Sequence, residues 1–145
     1  MLVWMGLAGC AWLQSEKPMQ LQPGSYRAYI QRPDGIQIPF QMQIVDSNGK
    51  TVVYMLNGAE RIRIDSIVQH HQHFTLHMPL FNSDFTGLAL NDGTLQGQWI
   101  RHLPDSDQHF FFRAIPDTHR FDVHHAPRFN ISGTWATYMM RQGRS

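Results

Sequence analysis

From Gly24 onward the apolar residues recur at every second position, most clearly where Ile36, Ile38, Phe40, Met42 and Ile44 alternate with Gln37, Pro39, Gln41 and Gln43. A period of two belongs to a strand with one buried face, because successive Cβ atoms point to opposite sides of a sheet. Phe74, Leu76, Met78 and Leu80 repeat the pattern, as do Ile62 and Ile64. Pro39 has no N–H and falls on the polar side, so its strand is expected at an edge or with a bulge there. Turn-forming runs punctuate the alternation: Pro33-Asp34-Gly35, Asp46-Ser47-Asn48-Gly49, Asn57-Gly58, Gln69-His70-His71-Gln72, Asn91-Asp92-Gly93 and Pro104-Asp105-Ser106-Asp107. Asn57-Gly58 is the strongest, since a type I′ turn needs positive φ at both central residues and Asn and Gly tolerate it best.

Such breaks, with no helical period between them, predict an all-β antiparallel meander, with strands near 25–31, 36–45, 51–56, 60–68, 73–79, 84–90, 94–102, 108–114 and 131–139. Parallel βαβ units are excluded, because their crossovers need a dozen or more residues. A meander of about eight or nine strands has edges to protect, and full or partial closure into a barrel does so directly. The long irregular connection from Pro116 to Pro127 is expected to cover an open end or an edge. Gly24-Ser25-Tyr26, Gly97-Gln98-Trp99 and Gly133-Thr134-Trp135 share a Gly-x-aromatic element that places glycine and ring on one face. The missing side chain leaves room there for a close neighbour, a twist or a bulge.

The N-terminus has a different character. Met1 to Leu13 is apolar but far shorter than the roughly 20 residues a membrane-spanning helix requires. Leu7-Ala8-Gly9-Cys10 resembles the lipobox of bacterial lipoproteins, in which cleavage precedes the cysteine and the cysteine carries the lipids. Only nine residues precede Cys10, none of them Lys or Arg, which also allows an upstream start or an ordinary buried thiol. The lipobox reading makes residues 1–9 a signal segment, residues 10–23 a tether and residues 24–140 the β domain, with 141–145 as a tail or truncated linker. Acyl chains on Cys10 would hold the domain at a membrane durably. Ala11, in place of Asp, resembles the outer-membrane pattern and implies a periplasmic, lipid-anchored location.

Chemically capable residues are plentiful, yet no reactive pattern emerges. Twelve Lys+Arg against eleven Asp+Glu supply no basic field for a phosphate backbone, so nucleic acid is not an expected partner. One cysteine excludes a CxxC pair, a Cys-based zinc site and an internal disulfide. Nine histidines invite a metal reading, but His70-His71-Gln72-His73 sits at a hairpin tip, and His119, His124 and His125 belong to the irregular segment. Ligation needs three or four convergent donors with supporting partners, so neither a metal nor a cofactor is expected. Asp105 with Asp107 and Asp117 with Asp122 read as solvated loop acids. Serines 25, 47, 66, 83, 106 and 132 lack a nucleophile motif, so no catalytic residue is assigned. Asn130-Ile131-Ser132 matches a glycosylation sequon that a bacterial lipoprotein would not normally use. On a strand, Phe111 opposes Phe110 and Phe112, so the run is buried on both sides or forms an adhesive patch. Trp99 and Trp135, with these phenylalanines, are candidates for a contact surface or for the lining of an apolar ligand cavity.

Several ordered elements are similar to one family: Pro23-Gly24-Ser25-Tyr26-Arg27-Ala28, Ile38-Pro39-Phe40, Leu56-Asn57-Gly58-Ala59-Glu60-Arg61-Ile62, Met78-Pro79-Leu80-Phe81, Leu95-Gln96-Gly97-Gln98-Trp99, Arg120-Phe121 and Ser132-Gly133-Thr134-Trp135. In order and spacing they resemble the N-terminal β region of periplasmic TlpA-like thiol-disulfide oxidoreductases of the thioredoxin/redoxin superfamily. In that family the chemistry belongs to a C-terminal thioredoxin-like domain with a Trp-Cys-x-x-Cys motif, which this sequence lacks. The resemblance therefore implies a detached front module or a truncated reading frame, which docks or positions a thioredoxin-like domain in cis or in trans. The alternative is a lipocalin-like lipoprotein that binds a small apolar molecule. Because the chain has no dithiol, the purified protein is expected not to reduce insulin disulfides in a turbidity assay, and robust turnover would reject that expectation.

Overall fold

The computed structural model describes residues 20–123, 125–126 and 128–138. Cys10, the signal segment 1–9, most of the tether and the tail 141–145 lie outside the described residues. Within them there is no helix, and none long and apolar enough to cross a membrane. Nine strands form: β1 Gly24–Gln31, β2 Gln37–Ser47, β3 Lys50–Asn57, β4 Glu60–Ile64, β5 Ile67–His70, β6 His73–His77, β7 Ser83–Ala89, β8 Leu95–His102 and β9 Asp107–Pro116. They make one antiparallel sheet in the order β4-β3-β2-β1-β9-β8-β7-β6-β5. The pairing of β1 with β9, from Tyr26 opposite Pro116 to Gln31 opposite Phe111, joins the two halves of the meander.

The two edge strands, β4 and β5, are neighbours in the chain, so the sheet curls until its edges nearly meet and forms a nearly closed barrel. The stretch expected as one strand over 60–68 is divided at Asp65-Ser66, because these residues reverse the alternation. Ile62 and Ile64 face inward from even positions, whereas Ile67 packs against the core from an odd one. The run thus pairs with β3 through its first half and with β6 through its second, and the His77 N–H donates to the Ser66 carbonyl, 3.0 Å away, across the break.

The alternation appears directly as burial. Met42, Ile44, Val53, Ile64, Phe74, Leu76, Leu95 and Phe112 fill the interior together with Tyr26, Ala28 and Ala114. Phe112, fully buried, meets the Phe85 ring edge-on at 4.8 Å. Gly87 and Gly97 pair across β7 and β8, where a Cβ on Gly97 would run into the Thr86 carbonyl oxygen. This close approach meets the expectation for Gly97-x-Trp99, whereas Gly133 has nothing near the place of its missing Cβ.

Three expectations need correction. The type I′ turn sits at Asn48-Gly49, with φ of 56° and 77° between paired Ser47 and Lys50. Asn57 instead pairs with Glu60, and only Gly58, at φ 61°, has positive φ in the turn between them. The strand β2 is internal, and Pro39 is tolerated because pairing with β3 begins only at Gln41. Residues 131–138 of the expected last strand form no strand and are exposed, since the edge of β1 that a closing strand would use is taken by β9. Local hydrogen bonds serve this segment instead: Ser132 N–H to Asn130 Oδ1, and Trp135 Nε1–H to the Ile131 carbonyl.

Neighbouring strands run in opposite directions, so the β1–β2, β3–β4, β6–β7 and β8–β9 turns gather at one end. The other end receives the remaining turns, the approach through Gln20–Pro23 and the exit after Pro116. Leu21 is buried in the core, its N–H donating to Gln69 Oε1, and the Tyr26 hydroxyl donates to the Gln22 carbonyl. Beyond β9 the chain turns back over the outer face of β1 and β2. Arg27 binds Asp117 and Asp122, both at 3.1 Å, Gln41 Nε2 donates to the Thr118 carbonyl, and Arg120 donates to the Pro39 carbonyl. Replacing Gly97 by Ala is expected to destabilise the fold by at least about 2 kcal/mol, and Phe112 by Ala by about 3–5 kcal/mol, in urea-denaturation midpoints.

Candidate functional site

The end where the β1–β2, β3–β4, β6–β7 and β8–β9 turns gather is an apolar mouth. A cavity of about 180 Å³ opens there among Ile30, Phe40, Met55, Ile62, Met78, Phe81, Phe85 and Trp99, with Asn57 and Ser83 as the polar side chains of the lining. Strands β1, β2, β3, β4, β7 and β8 each deliver an inward-facing residue as they reach the rim. The Trp99 ring lies 6.3 Å from Phe85 and 5.3 Å from Phe110, and Phe40 lies 6.1 Å from Phe85. The aromatic wall is therefore continuous from β2 across β7 and β8 to β9. The Ser83 hydroxyl is buried with no hydrogen-bond partner among the described residues. Burial without a partner costs about 1–3 kcal/mol, so this oxygen is available to whatever enters the mouth.

The β6–β7 connection, Met78 to Asn82, supplies one wall. Phe81 (φ 74°) and Asn82 (φ 39°) both occupy the left-handed region. For a bulky side chain such a backbone costs about 1–3 kcal/mol. The Phe81 ring is 69% exposed, so its own packing does little to offset that strain. Leu80 beside it is also exposed. A strained, exposed aromatic at the rim of an apolar depression is a feature stability alone would not retain.

The expected site residues separate. Trp99 lines the mouth, Phe110 packs beside it, and Phe112 is core. Phe111 is on the outer face beside Tyr29, their centroids 6.2 Å apart. Trp135 is 71% exposed and hydrogen-bonded within its own segment, so it does not join Trp99 in the lining. Cys10 lies outside the described residues. Phe81 and Ser83 were not singled out by sequence, although Phe81 closes the Met78-Pro79-Leu80-Phe81 run.

A second group lies on the outer face at the same rim. His77 Nδ1 is 2.8 Å from Asp84 Oδ1, His102 Nε2 is 3.0 Å from Asp84 Oδ2, and His102 Nδ1 is 3.0 Å from Asp107 Oδ1. Hydrogen bonds that His102 donates to Asp84 and then to Asp107 push it up from its ordinary value. Burial works to raise Asp84, but its contacts with His102 and His77 outweigh this and hold the carboxyl low. Asp107 is thus a strand-end partner of a histidine, and Asp117 and Asp122, expected as solvated loop acids, are ion-paired with Arg27 while Asp122 stays exposed. His70 and His71 meet at the β5–β6 tip, their Nδ1 atoms 2.9 Å apart. No group of three or more His, Cys, Asp or Glu that could hold a metal ion occurs among the described residues.

No protein-family model, curated protein or solved structure matches the chain. The mouth and its rim therefore carry the functional argument. Because Phe81 is strained and the Ser83 hydroxyl unsatisfied, Phe81→Gly and Ser83→Ala are each expected to leave the thermal unfolding midpoint unchanged or raise it, by up to about 1 kcal/mol in stability. A fall of that size would make these residues structural.

Proposed function

We propose that the chain is a lipid-anchored, non-catalytic docking module of a periplasmic thiol-disulfide oxidoreductase system, and that its mouth receives an apolar side chain from a thioredoxin-like domain. The observation that carries the docking part is the mouth itself: apolar, edged by the strained and exposed Phe81, and about 180 Å³ in volume. Pockets for free small molecules span roughly 300–1,000 Å³, whereas a cavity of about 150 Å³ accommodates one benzene ring. The size favours insertion of a single side chain over enclosure of a free lipophile, so the docking reading is preferred to the lipocalin-like one. The Ser83 hydroxyl would then bond a backbone group of the inserted segment.

The choice of partner rests on the resemblance to TlpA-like proteins. Four of the elements that carry it supply mouth residues: Phe40, the Leu56–Ile62 run, Met78 with Phe81, and Trp99. The likeness thus includes part of the surface that would meet a partner. The chain enters β1 at the end opposite the mouth, so an anchor at Cys10 would leave the mouth free to face the periplasm. The single cysteine of the sequence fits a reading in which the redox chemistry belongs to the partner.

Replacing Phe81 by the photo-crosslinking residue p-benzoylphenylalanine in a bacterial envelope tests the reading. Irradiation is expected to link the chain to a protein that carries Trp-Cys-x-x-Cys, and Trp99→Ala is expected to reduce that yield about tenfold, the loss of one well-buried anchor. Crosslinks to lipid alone, or none above the level of an exposed control position such as Lys50, would overturn it.

A further inference from the structure

The turn from Met78 to Asn82 holds Phe81 at the mouth with two residues in the left-handed region, and hydrogen bonds fix both of its ends. The Met78 N–H donates to the Ser83 carbonyl at 3.0 Å, the His102 N–H donates to the Asn82 carbonyl at 2.9 Å, and Asn82 Nδ2 donates back to the His102 carbonyl at 3.2 Å. Outside these backbone ties stands the side-chain ladder across β6, β7, β8 and β9. His77 and Asp84 flank the turn directly, and Asp84 shares its second oxygen with His102.

An ionised carboxylate only accepts hydrogen bonds, and a neutral imidazole has a single N–H. Both ring nitrogens of His102 face carboxylate oxygens at 3.0 Å, so only the doubly protonated ring satisfies both contacts. Loss of one proton turns a nitrogen lone pair toward either Asp84 or Asp107 and opens that contact. We propose that the His77–Asp84–His102–Asp107 ladder is a protonation-dependent clasp that fixes the Phe81 wall of the mouth, closed when His102 is charged and loosened when it is neutral. As regulation of the docking site, the inference rests on the reading of the mouth given above.

The surroundings place few other charges on this ring. Asp84 faces it from β7, with His77 of β6 behind, and Asp107 faces it from β9. On its own strand Arg101 belongs to the opposite face, paired with Ser83 of the mouth. His109, the next outward residue of β9, is engaged by Gln98, and Asp105 lies in the exposed β8–β9 turn. His102 is raised, so the clasp contributes fully below the ordinary histidine value of 6.5 and is lost as pH climbs through the raised value. Asp84 is depressed, so its contribution is present above the ordinary 3.8 and lost as pH falls through the lowered value. The clasp is thus closed in mildly acidic solution and opens on the alkaline side of the histidine range.

Nuclear magnetic resonance on the full chain, followed from pH 5 to 9, tests this directly. The His102 ring nitrogens and the Phe81 and Asn82 amides are expected to titrate together with a midpoint above 6.5. Asp107→Asn is expected to move both midpoints down together, and His102→Gln to abolish the amide titration while the core signals stay folded. Amides of Phe81 and Asn82 that ignore the His102 titration, or a midpoint at or below 6.5, would overturn the proposal. The readout needs no partner, so failure of crosslinking through position 81 and failure of this titration are separate results.

Discussion

Two residues, Asp65 and Ser66, make this sheet a barrel. A nine-stranded antiparallel sheet has two edges with unpaired N–H and C=O groups, each a template for aggregation unless it is covered or joined. Here the edges are consecutive segments of one chain. The reversal of alternation between Ile64 and Ile67 lets a single run leave β3 and join β6 without exposing its apolar side. The interior, the aromatic wall and the gathering of four turns at one end all follow from that change of partner.

The two ends of the barrel then differ because the chain treats them differently. Where it enters, Leu21 is buried and the Tyr26 hydroxyl ties down the approaching segment. At the far end the side chains are equally apolar, but a depression remains open among Phe40, Phe85 and Trp99. Instead a turn with two residues in the left-handed region holds Phe81 outward. An exposed ring, backbone strain and an unsatisfied serine hydroxyl together constitute a local loss of stability. Losses of this kind concentrate where a surface is kept for recognition.

The outer rim adds an electrostatic layer to the same end. Histidines and aspartates from four strands alternate across the sheet, with Asp84 between two histidines and Asp107 at the end of the row, and the backbone of His102 is tied to the turn that carries Phe81. Protonation of one imidazole is thereby coupled, through a single strand residue, to the geometry of the mouth.

Alternation alone identified most of the strands, the meander and the inward residues Met42, Ile44, Phe74 and Leu76, because the side-chain period of a strand is a local property. It failed at 131–138, where a plausible strand sequence found the edge of β1 already taken by β9, and at 60–68, where one apparent strand serves two partners. The Phe110–Phe112 run was legible as two-faced, yet only the fold assigned Phe112 to the core, Phe110 to the aromatic wall and Phe111 to the exterior. Trp99 and Trp135 looked alike in sequence, and the pairing of β9 with β1 set them apart. Ser83 and the His102 ladder carried no sequence signal of their own, and Phe81 only its place in the Met78–Phe81 run. Their significance depends on which turns share an end and which side chains meet across strands, and register and closure decide that only when the whole sheet is assembled.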